Sequence, residues 1–251
     1  MSSIGTGYDL QPSTFSPDGR IFQVEYAQKA VDGAGTALGL RGKDGVVLAT
    51  EKALPSPLIL ADSCPRVTAL DRNISFCSAG LYSDAKAMLD EGRYYAVEHR
   101  KQFFEDIPVE KLATELAISS HYWTMGVERP YGCAVFLSGW DKKTGPHLFL
   151  VETSGDCYEY KAWAVGKHRQ AAKAEIEKLD LPNLSSEQLI KEAARILIMT
   201  REEGKEKNFL IEMGHVGEDT SGVHRDVPAD EIAAAEQWAR DKLDADEDIA
   251  D

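Results

Sequence analysis

Cysteine and histidine are the residue types that most often hold metals or act as nucleophiles, and both are scattered along this chain of 251 residues. No two cysteines form a Cys-x-x-Cys pair, and the histidines show no ligand spacing. The cysteines lie in or beside apolar runs, which predicts reduced, mostly buried thiols rather than a zinc site or disulfides. We therefore expect no metal and no cofactor. The cysteines are Cys64, Cys77, Cys133 and Cys157, and the histidines are at 99, 121, 147, 168, 215 and 224.

Other binding chemistries are also disfavoured by the sequence. Gly33 and Gly35 precede the first predicted strand instead of following one, so we interpret them as a hinge and not as a phosphate-binding loop. The net charge of −14, from 28 basic and 42 acidic residues, argues against nucleic acid or an anionic membrane as the main partner. No apolar run reaches the ~18 residues of a membrane span, and the start MSSIGTG has no secretory pattern. We expect an intracellular protein.

The sequence contains one basic and one acidic cluster of residues. Lys167, His168 and Arg169 form a small basic cluster with Lys173 at a predicted helix start. Two interpretations stay open for it, a nuclear-targeting sequence and a solvated helix face, of which the second is the more common. Acidic residues dominate positions 244–251, which predicts a disordered tail.

The predicted strands cluster in hairpins and the predicted helices cluster in pairs. Asp44-Gly45 between two apolar runs is a strong hairpin signal. This arrangement disfavours a parallel βαβ fold and favours antiparallel sheets covered by helix layers. No linker rich in Gly, Pro or Ser divides residues 1–243, so we predict one domain. Strands are expected at 36–41, 46–51, 66–70, 74–78, 133–140, 147–152, 157–165, 209–216 and 223–227, and helices at 19–32, 81–103, 109–125, 172–179, from 185 or 186 onward, and 232–243.

The stretch YDLQPSTFSPDGRIFQVEYAQKAV has two physically different halves. Pro12 and Pro17 fix their own φ and disfavour helix before them, which predicts an extended arm over residues 1–18. Apolar residues then recur at helical spacing, which predicts a helix over 19–32 with Asp18 as its N-cap. A rigid arm and a short amphipathic helix ahead of any strand are suited to docking against something other than the chain's own core.

The same stretch resembles the amino-terminal signature of proteasome alpha-type subunits. The segment MSSIGTGYDL is similar to the alpha type-3 members of the eukaryotic family, because Leu10 stands where most alpha members have arginine. Further matches cover essentially the whole chain. They include Tyr8, Ser13, Phe15-Ser16-Pro17, Gly19-Arg20, Gln23-Val24-Glu25-Tyr26-Ala27, Gly45-Val46-Val47-Leu48-Ala49, Ala79-Gly80-Leu81 and Arg129-Pro130-Tyr131-Gly132.

The resemblance implies an α+β fold, a four-layer αββα sandwich of two antiparallel sheets between helix layers, as in N-terminal nucleophile hydrolases, with an additional N-terminal helix. It also implies a place in a seven-membered ring of alpha subunits on top of the beta-ring subunits of a core proteasome. That particle degrades proteins by ubiquitin-dependent and ubiquitin-independent routes in cytoplasm and nucleus. Unfolded protein substrates would pass through the ring, and clefts between neighbours would receive the C-terminal tails of regulatory particles.

The resemblance further implies that the chain is not itself a peptidase. In the active beta-type relatives an N-terminal threonine attacks the peptide carbonyl, with its own α-amino group as base. Aligned by strand, that nucleophile falls at Gly35, next to Thr36, and its partners fall at Glu51 and Arg66 in place of Asp and Lys. Glycine has no side chain to attack with, and arginine stays protonated at neutral pH. We expect no catalytic residue, because freeing Thr36 would remove the whole arm and helix.

The gate of the pore is implied by resemblance to involve Tyr8, Asp9, Pro17 and Tyr26. Arg66 stands where the family has a lysine in the pocket for regulator tails, and it keeps the charge on a wider, planar group. The alternative for the residues assigned to the gate is a surface arm and helix that have no gating role. For the whole chain the alternatives are a free-standing threonine-nucleophile amidohydrolase of the same fold and a self-contained scaffold outside any proteasome.

Overall fold

The elements of the chain follow the predicted order. The computed structural model describes residues 7–54, 56–126, 128–201 and 209–250, with the backbone alone for 246–250. The helices within these ranges are α1 Phe22–Asp32, α2 Tyr82–Phe103, α3 Val109–Met125, α4 Arg169–Ile176, α5 Ser186–Met199 and α6 Ala229–Ala250. The strands are β1 Ala37–Arg41, β2 Gly45–Ala53, β3 Val67–Asp71, β4 Ile74–Gly80, β5 Cys133–Asp141, β6 Gly145–Val151, β7 Cys157–Glu159, β8 Ala162–Val165, β9 Phe209–Gly217 and β10 Arg225–Asp226.

These strands form two five-stranded antiparallel sheets. The first sheet has the order β10-β9-β2-β1-β8 and the second has the order β3-β4-β5-β6-β7. In the central strand β2, every residue from Gly45 to Lys52 is buried. A strand that is covered on both faces has no exposed side on which polar residues are favoured, which explains the apolar run at 45–49. Thr50, Glu51 and Lys52 are the buried polar residues of this strand.

Three buried clusters separate four layers. One cluster lies between the two sheets and contains Leu48, Phe136 and Leu150. A second packs α4, α5 and α6 on the first sheet, and a third packs α2 and α3 on the second sheet around Met88 and Leu116. The predicted αββα sandwich with an additional N-terminal helix is therefore confirmed.

The N-terminal helix begins later than the sequence predicted. It starts at Phe22, and Asp18 does not cap it. Instead the Ser16 amide donates to the Arg20 carbonyl at 2.9 Å, and the Gly19 amide donates back to the Ser16 carbonyl at 2.9 Å. Gly19 has a φ of +76°, a left-handed conformation that cannot continue into a helix. The predicted first turn of the helix is therefore a separate tight turn that links the arm to α1.

The predicted strand at 157–165 is in fact two strands in different sheets. β7 pairs with β6 in the second sheet, and β8 pairs with β1 in the first. The crossing occurs between two adjacent residues: the Tyr160 amide donates to Leu148 at 2.8 Å, whereas the Lys161 carbonyl accepts from Arg41 at 3.0 Å. The alternating residues 158–161 are followed by the apolar run 162–165, but no glycine or proline interrupts residues 157–165, so no turn signal marks the change of sheet.

The prediction of a disordered tail from residue 244 is wrong for the described backbone, since α6 continues to Ala250. Ala235 and Ala239 are buried in the cluster with α5 and hold the helix in place. No glycine or proline follows Pro228, so nothing in the chain interrupts the hydrogen bonding of the helix. Asp251 lies outside the described residues.

Candidate functional site

Gly35 is enclosed by backbone at the position that sequence analysis aligns with the nucleophile. A Cβ atom added there would lie 2.2 Å from the carbonyl oxygen of Glu51. No Cβ tolerates such a contact, and the atom it meets belongs to a buried strand, so no side chain fits without a backbone shift. The position before β1 therefore accommodates only glycine, and it has no space for the side chain that would carry an attacking hydroxyl.

Thr36 directly precedes β1 and is 1% exposed. Its carbonyl accepts hydrogen bonds from the Glu51 amide at 2.8 Å and the Thr50 hydroxyl at 3.2 Å. Its own hydroxyl accepts from the His168 amide at 3.3 Å. The residue therefore contributes to the packing between β1, β2 and the start of α4.

Arg66 is held by contacts within the chain. Its guanidinium donates to the Gly80 carbonyl at 2.9 Å and lies 5.3 Å from the centre of the Tyr82 ring. Its amide donates at 2.6 Å to Glu212, whose other carboxylate oxygen is 2.6 Å from the Lys52 ammonium. Arginine can donate several hydrogen bonds in one plane, so these contacts leave part of the group for a ligand.

Glu212 had no role in the sequence analysis. It lies in β9 opposite Thr50 of β2, and it joins this strand to the start of β3 through the amides of Arg66 and Val67. An acidic residue within the apolar run Phe209–Gly217 was the available signal, but its partners are too far away in sequence to be identified from a pattern.

Of the four residues assigned to the gate, the structure brings two together. The Tyr26 hydroxyl donates to a carboxylate oxygen of Asp9 at 3.3 Å, and the side chain of Gln23 donates to the Asp9 carbonyl at 2.6 Å. Partial desolvation and the Asp9 carboxylate raise the pKa of Tyr26 above its ordinary value. Tyr8 is 43% exposed and Pro17 is exposed as well. The arm is thus attached to α1 at Asp9, while Tyr8 and Pro17 face outward.

The turn between arm and helix has its own attachment. The Arg20 Nε atom donates to a carboxylate oxygen of Glu25 at 2.6 Å, and the guanidinium lies 4.9 Å from the centre of the Phe22 ring. The hydrogen bond from Arg20 lowers the pKa of Glu25. Both side chains are more than one-third exposed, so this ion pair contributes little stability and mainly orients the turn.

Large apolar side chains are exposed on the arm and on the loop after β2. Leu10 is 83% exposed and Phe15 is 65% exposed. Leu58 and Leu60 in the loop are 91% and 79% exposed. Grouped exposed apolar residues of this size are typical of surfaces that contact other proteins.

The described residues contain no group of three or more His, Cys, Asp or Glu side chains that could hold a metal ion. All four cysteines are free, and burial raises the pKa of Cys133 to about 12 and of Cys157 to about 11. Cys64 and Cys157 are nevertheless partly exposed, whereas the sequence predicted mostly buried thiols. In the described ranges, no helix combines the length and the apolar character needed to cross a bilayer.

The basic cluster at the start of α4 is engaged within the protein. Arg169 forms an ion pair with Asp32 of α1, and the Lys173 ammonium lies 3.4 Å from the centre of the Trp163 ring. Burial beside Trp163, together with the charge of Arg169, lowers the pKa of Lys173. Arg169 and Lys173 are therefore less solvated than the predicted solvated helix face, and the nuclear-targeting interpretation stays a prediction.

Two family models match the chain in adjacent segments. The model of the proteasome subunits matches residues 31–216, and the model of the N-terminal signature of their A type matches residues 8–30, which is the arm and α1 described above. The chain belongs to the proteasome subunit family, among its alpha-type members. It is 43% identical over 250 residues to the alpha type-3 proteasome subunit of Acanthamoeba castellanii, with 99% of both chains covered.

Other alpha-type relatives are similar over comparable lengths. The chain is 42% identical over 249 residues to the alpha type-3 proteasome subunit of Drosophila melanogaster, covering 99% of this chain and 98% of that protein. It is 39% identical over 254 residues to the probable alpha type-7 proteasome subunit of Saccharomyces cerevisiae, covering 99% and 88%. Alpha-type proteasome subunits are generally non-catalytic. A free-standing amidohydrolase is not favoured by these relatives.

Proposed function

We propose that the chain is a non-catalytic subunit of the alpha ring of a core proteasome, in cytoplasm and nucleus. It would contact other alpha subunits in a seven-membered ring and beta-ring subunits below, and unfolded protein substrates would pass its arm on their way to the peptidase sites. The observation that carries the non-catalytic assignment is Gly35, where the backbone of Glu51 excludes a side chain. The exposed apolar residues of the arm and of the loop after β2 support neighbours in a ring.

The N-terminal arm is proposed to contribute to the gate of the ring pore. A gate needs an arm that adopts one conformation when closed and detaches at modest cost. The described attachments of Asp9 are two hydrogen bonds, from Tyr26 and Gln23. Each contributes about 0.5–1.5 kcal/mol net, which orders the arm and still allows a regulator to displace it. Leu10 lacks the arginine charge that the resemblance associates with this position, so this arm should contribute less than its neighbours.

The proposed gating role of the arm is tested by a variant that removes one oxygen atom. Tyr26→Phe keeps the ring beside Phe22 and removes the hydroxyl that binds Asp9, so basal peptide hydrolysis by the assembled particle should rise. The rise should be partial, because the other arms remain, and deletion of residues 2–9 should increase it further without preventing assembly. Tyr158→Phe, at an exposed tyrosine, is the control and should have no effect. Normal assembly with unchanged hydrolysis in both arm variants would remove the gating role.

Arg66 is proposed to line the pocket for the C-terminal tails of regulatory particles. Its contacts with Gly80 and Tyr82 fix the orientation of the guanidinium, and a lysine could not reproduce both of them with the same planar group. Arg66→Lys should therefore change the affinity for a regulator tail by more than about 0.5 kcal/mol, roughly twofold. Arg240→Lys on α6 is the control. Equal affinities for the wild type and for Arg66→Lys would contradict the assignment.

The alternative function, a threonine-nucleophile amidohydrolase, predicts a different N-terminus for the mature chain. A hydrolase would be processed to begin at Thr36, whereas a ring subunit would retain residues 2–35. Intact-mass measurement of the protein from its native complex distinguishes the two. Covalent labelling of Thr36 by a threonine-directed inhibitor would overturn the non-catalytic assignment, and the native mass of that complex would test ring membership.

A further inference from the structure

A cleft of about 480 Å³ lies where the β1–β2 turn approaches the β5–β6 hairpin. Its walls come from four segments that are distant in sequence: the turn after Arg41, the hairpin Thr144–His147, the crossing between β7 and β8, and a short 3-10 turn at Leu181–Asn183. None of its lining residues belongs to the arm, to α1 or to the surroundings of Gly35 and Arg66. The proposed function therefore assigns no role to this cleft.

The charges in this cleft are only partly compensated. Arg41 and His147 both contact the same carboxylate oxygen of Glu159, at 2.7 and 2.8 Å, so the charge of Arg41 is balanced. Lys43 and Lys161 also line the cleft and are exposed. Within the described part of the chain, neither ammonium group forms an ion pair. Two positive charges are therefore available to a ligand.

The neighbouring carboxylates of Asp44 and Asp180 bind neutral groups and not the two lysines, and they keep their negative charge. Asp44 accepts from the amide and the hydroxyl of Ser186, at 2.8 and 2.9 Å. Asp180 accepts from the side-chain amide of Asn183 at 2.7 Å. Among the lining residues, three basic side chains stand against the single carboxylate of Glu159, so the lining itself has an excess of two positive charges that can attract anionic groups.

The rest of the lining is apolar and includes Pro146, Leu181 and Pro182. An inorganic anion would use the two ammonium groups and leave this apolar surface in contact with water. A peptide with carboxylates on either side of an apolar residue would bind the ammonium groups and also cover the apolar surface. We propose that the cleft binds a short acidic peptide segment of a partner protein, with its carboxylates on Lys43 and Lys161 and an apolar side chain against Leu181 and the two prolines.

The test uses the full-length chain and a fluorescein-labelled nonapeptide that carries four glutamates around a central leucine. Fluorescence anisotropy should show saturable binding. An exposed ion pair changes an equilibrium constant by roughly two- to fivefold, so the double variant Lys43→Gln/Lys161→Gln should bind about four- to twenty-five-fold more weakly. Lys86→Gln/Lys111→Gln makes the same change of charge at exposed lysines of α2 and α3 and should bind within about twofold of wild type.

Circular dichroism should show that both double variants remain folded. Equal weakening in both would indicate general electrostatic attraction and would overturn the proposal, as would the absence of binding to the wild type. Replacing the glutamates of the peptide by glutamine should abolish binding, and replacing its leucine by serine should weaken it several-fold. If the leucine has no effect and millimolar inorganic phosphate displaces the peptide, the cleft is a simple anion site and the peptide assignment is wrong.

Discussion

At the scale of single residues, the decisive feature of this chain is a position where a side chain is excluded. Gly35 has no positive φ that would require glycine. The constraint is the Glu51 carbonyl oxygen, which an added Cβ would approach to 2.2 Å. No side chain therefore fits at this position without a shift of the backbone.

Gly35→Ala should consequently destabilise the fold. The added methyl must displace the backbone of a buried strand, and overpacking of this kind costs about 1–3 kcal/mol of unfolding free energy, measured by urea denaturation. Gly33→Ala is the matched control, because its Cβ would come no closer than 3.4 Å to another atom. If both variants were equally stable, Gly35 would not be sterically restricted.

At the scale of elements, Asp84 connects the start of α2 to the turn before β5. Its side chain is 9% exposed and accepts from both terminal nitrogens of Arg129, at 2.6 and 2.9 Å, and from the Gly132 amide at 2.8 Å. The hydrogen bonds from Arg129 outweigh desolvation and, with that of Gly132, lower the pKa of Asp84. One carboxylate therefore fixes the geometry between a helix and a strand that begin far apart in sequence.

Asp84→Asn should reduce the unfolding free energy by about 1.5–3 kcal/mol at neutral pH, the range for hydrogen bonds to a charged group. A lowered pKa means that the ionised form stabilises the folded state above the ordinary aspartate pKa of about 3.9. This stabilisation is lost as the pH falls through the depressed pKa, so the difference between variant and wild type should shrink below about pH 3.9. Asp90→Asn on the same helix, 61% exposed, should show neither effect. A pH-independent difference would contradict the ionic explanation.

At the scale of the whole molecule, one helix layer is held together by a buried ionic network. Arg195 of α5 donates to Glu192 at 2.6 Å and to Glu175 of α4 at 3.1 Å. Lys242 of α6 contacts the other oxygen of Glu192 at 2.8 Å. Desolvation alone would raise the pKa of Glu192, but the hydrogen bonds from Lys242 and Arg195 lower it. The three helices on the first sheet are thus joined by charge as well as by apolar packing.

Arg195→Met should destabilise the chain strongly, because two poorly solvated carboxylates would lose a partner. Removing one member of a buried pair costs about 3–5 kcal/mol of unfolding free energy. We expect a smaller loss of roughly 2–4 kcal/mol, because Lys178 still pairs with Glu175 and Lys242 still pairs with Glu192. Arg240→Met removes an exposed pair with Glu236 on α6 and should change stability by less than about 1 kcal/mol. Thermal and urea unfolding of the two variants provide the comparison, and similar losses would show that the buried network is unimportant.

The sequence by itself determined the features that depend on neighbouring residues. Ser185 was a predicted start of a helix, and it forms a capping box with Gln188 at the start of α5. Asp44-Gly45 lies at the predicted turn between β1 and β2. The signature at residues 8–30 likewise indicated the family, because its residues are contiguous in the chain. Such signals act over a few residues, where the chain itself fixes which groups can meet.

Only the tertiary structure decided the contacts between distant parts of the chain. The crossing from β7 to β8 depends on which sheet lies beside Tyr160 and Lys161, and no glycine or proline marks it in the sequence. Glu212 meets Arg66 across 146 positions, and α6 packs on α5 through Ala235 and Ala239. These contacts form only when distant elements pack together, and the pattern within one segment does not indicate which other segment will pack against it.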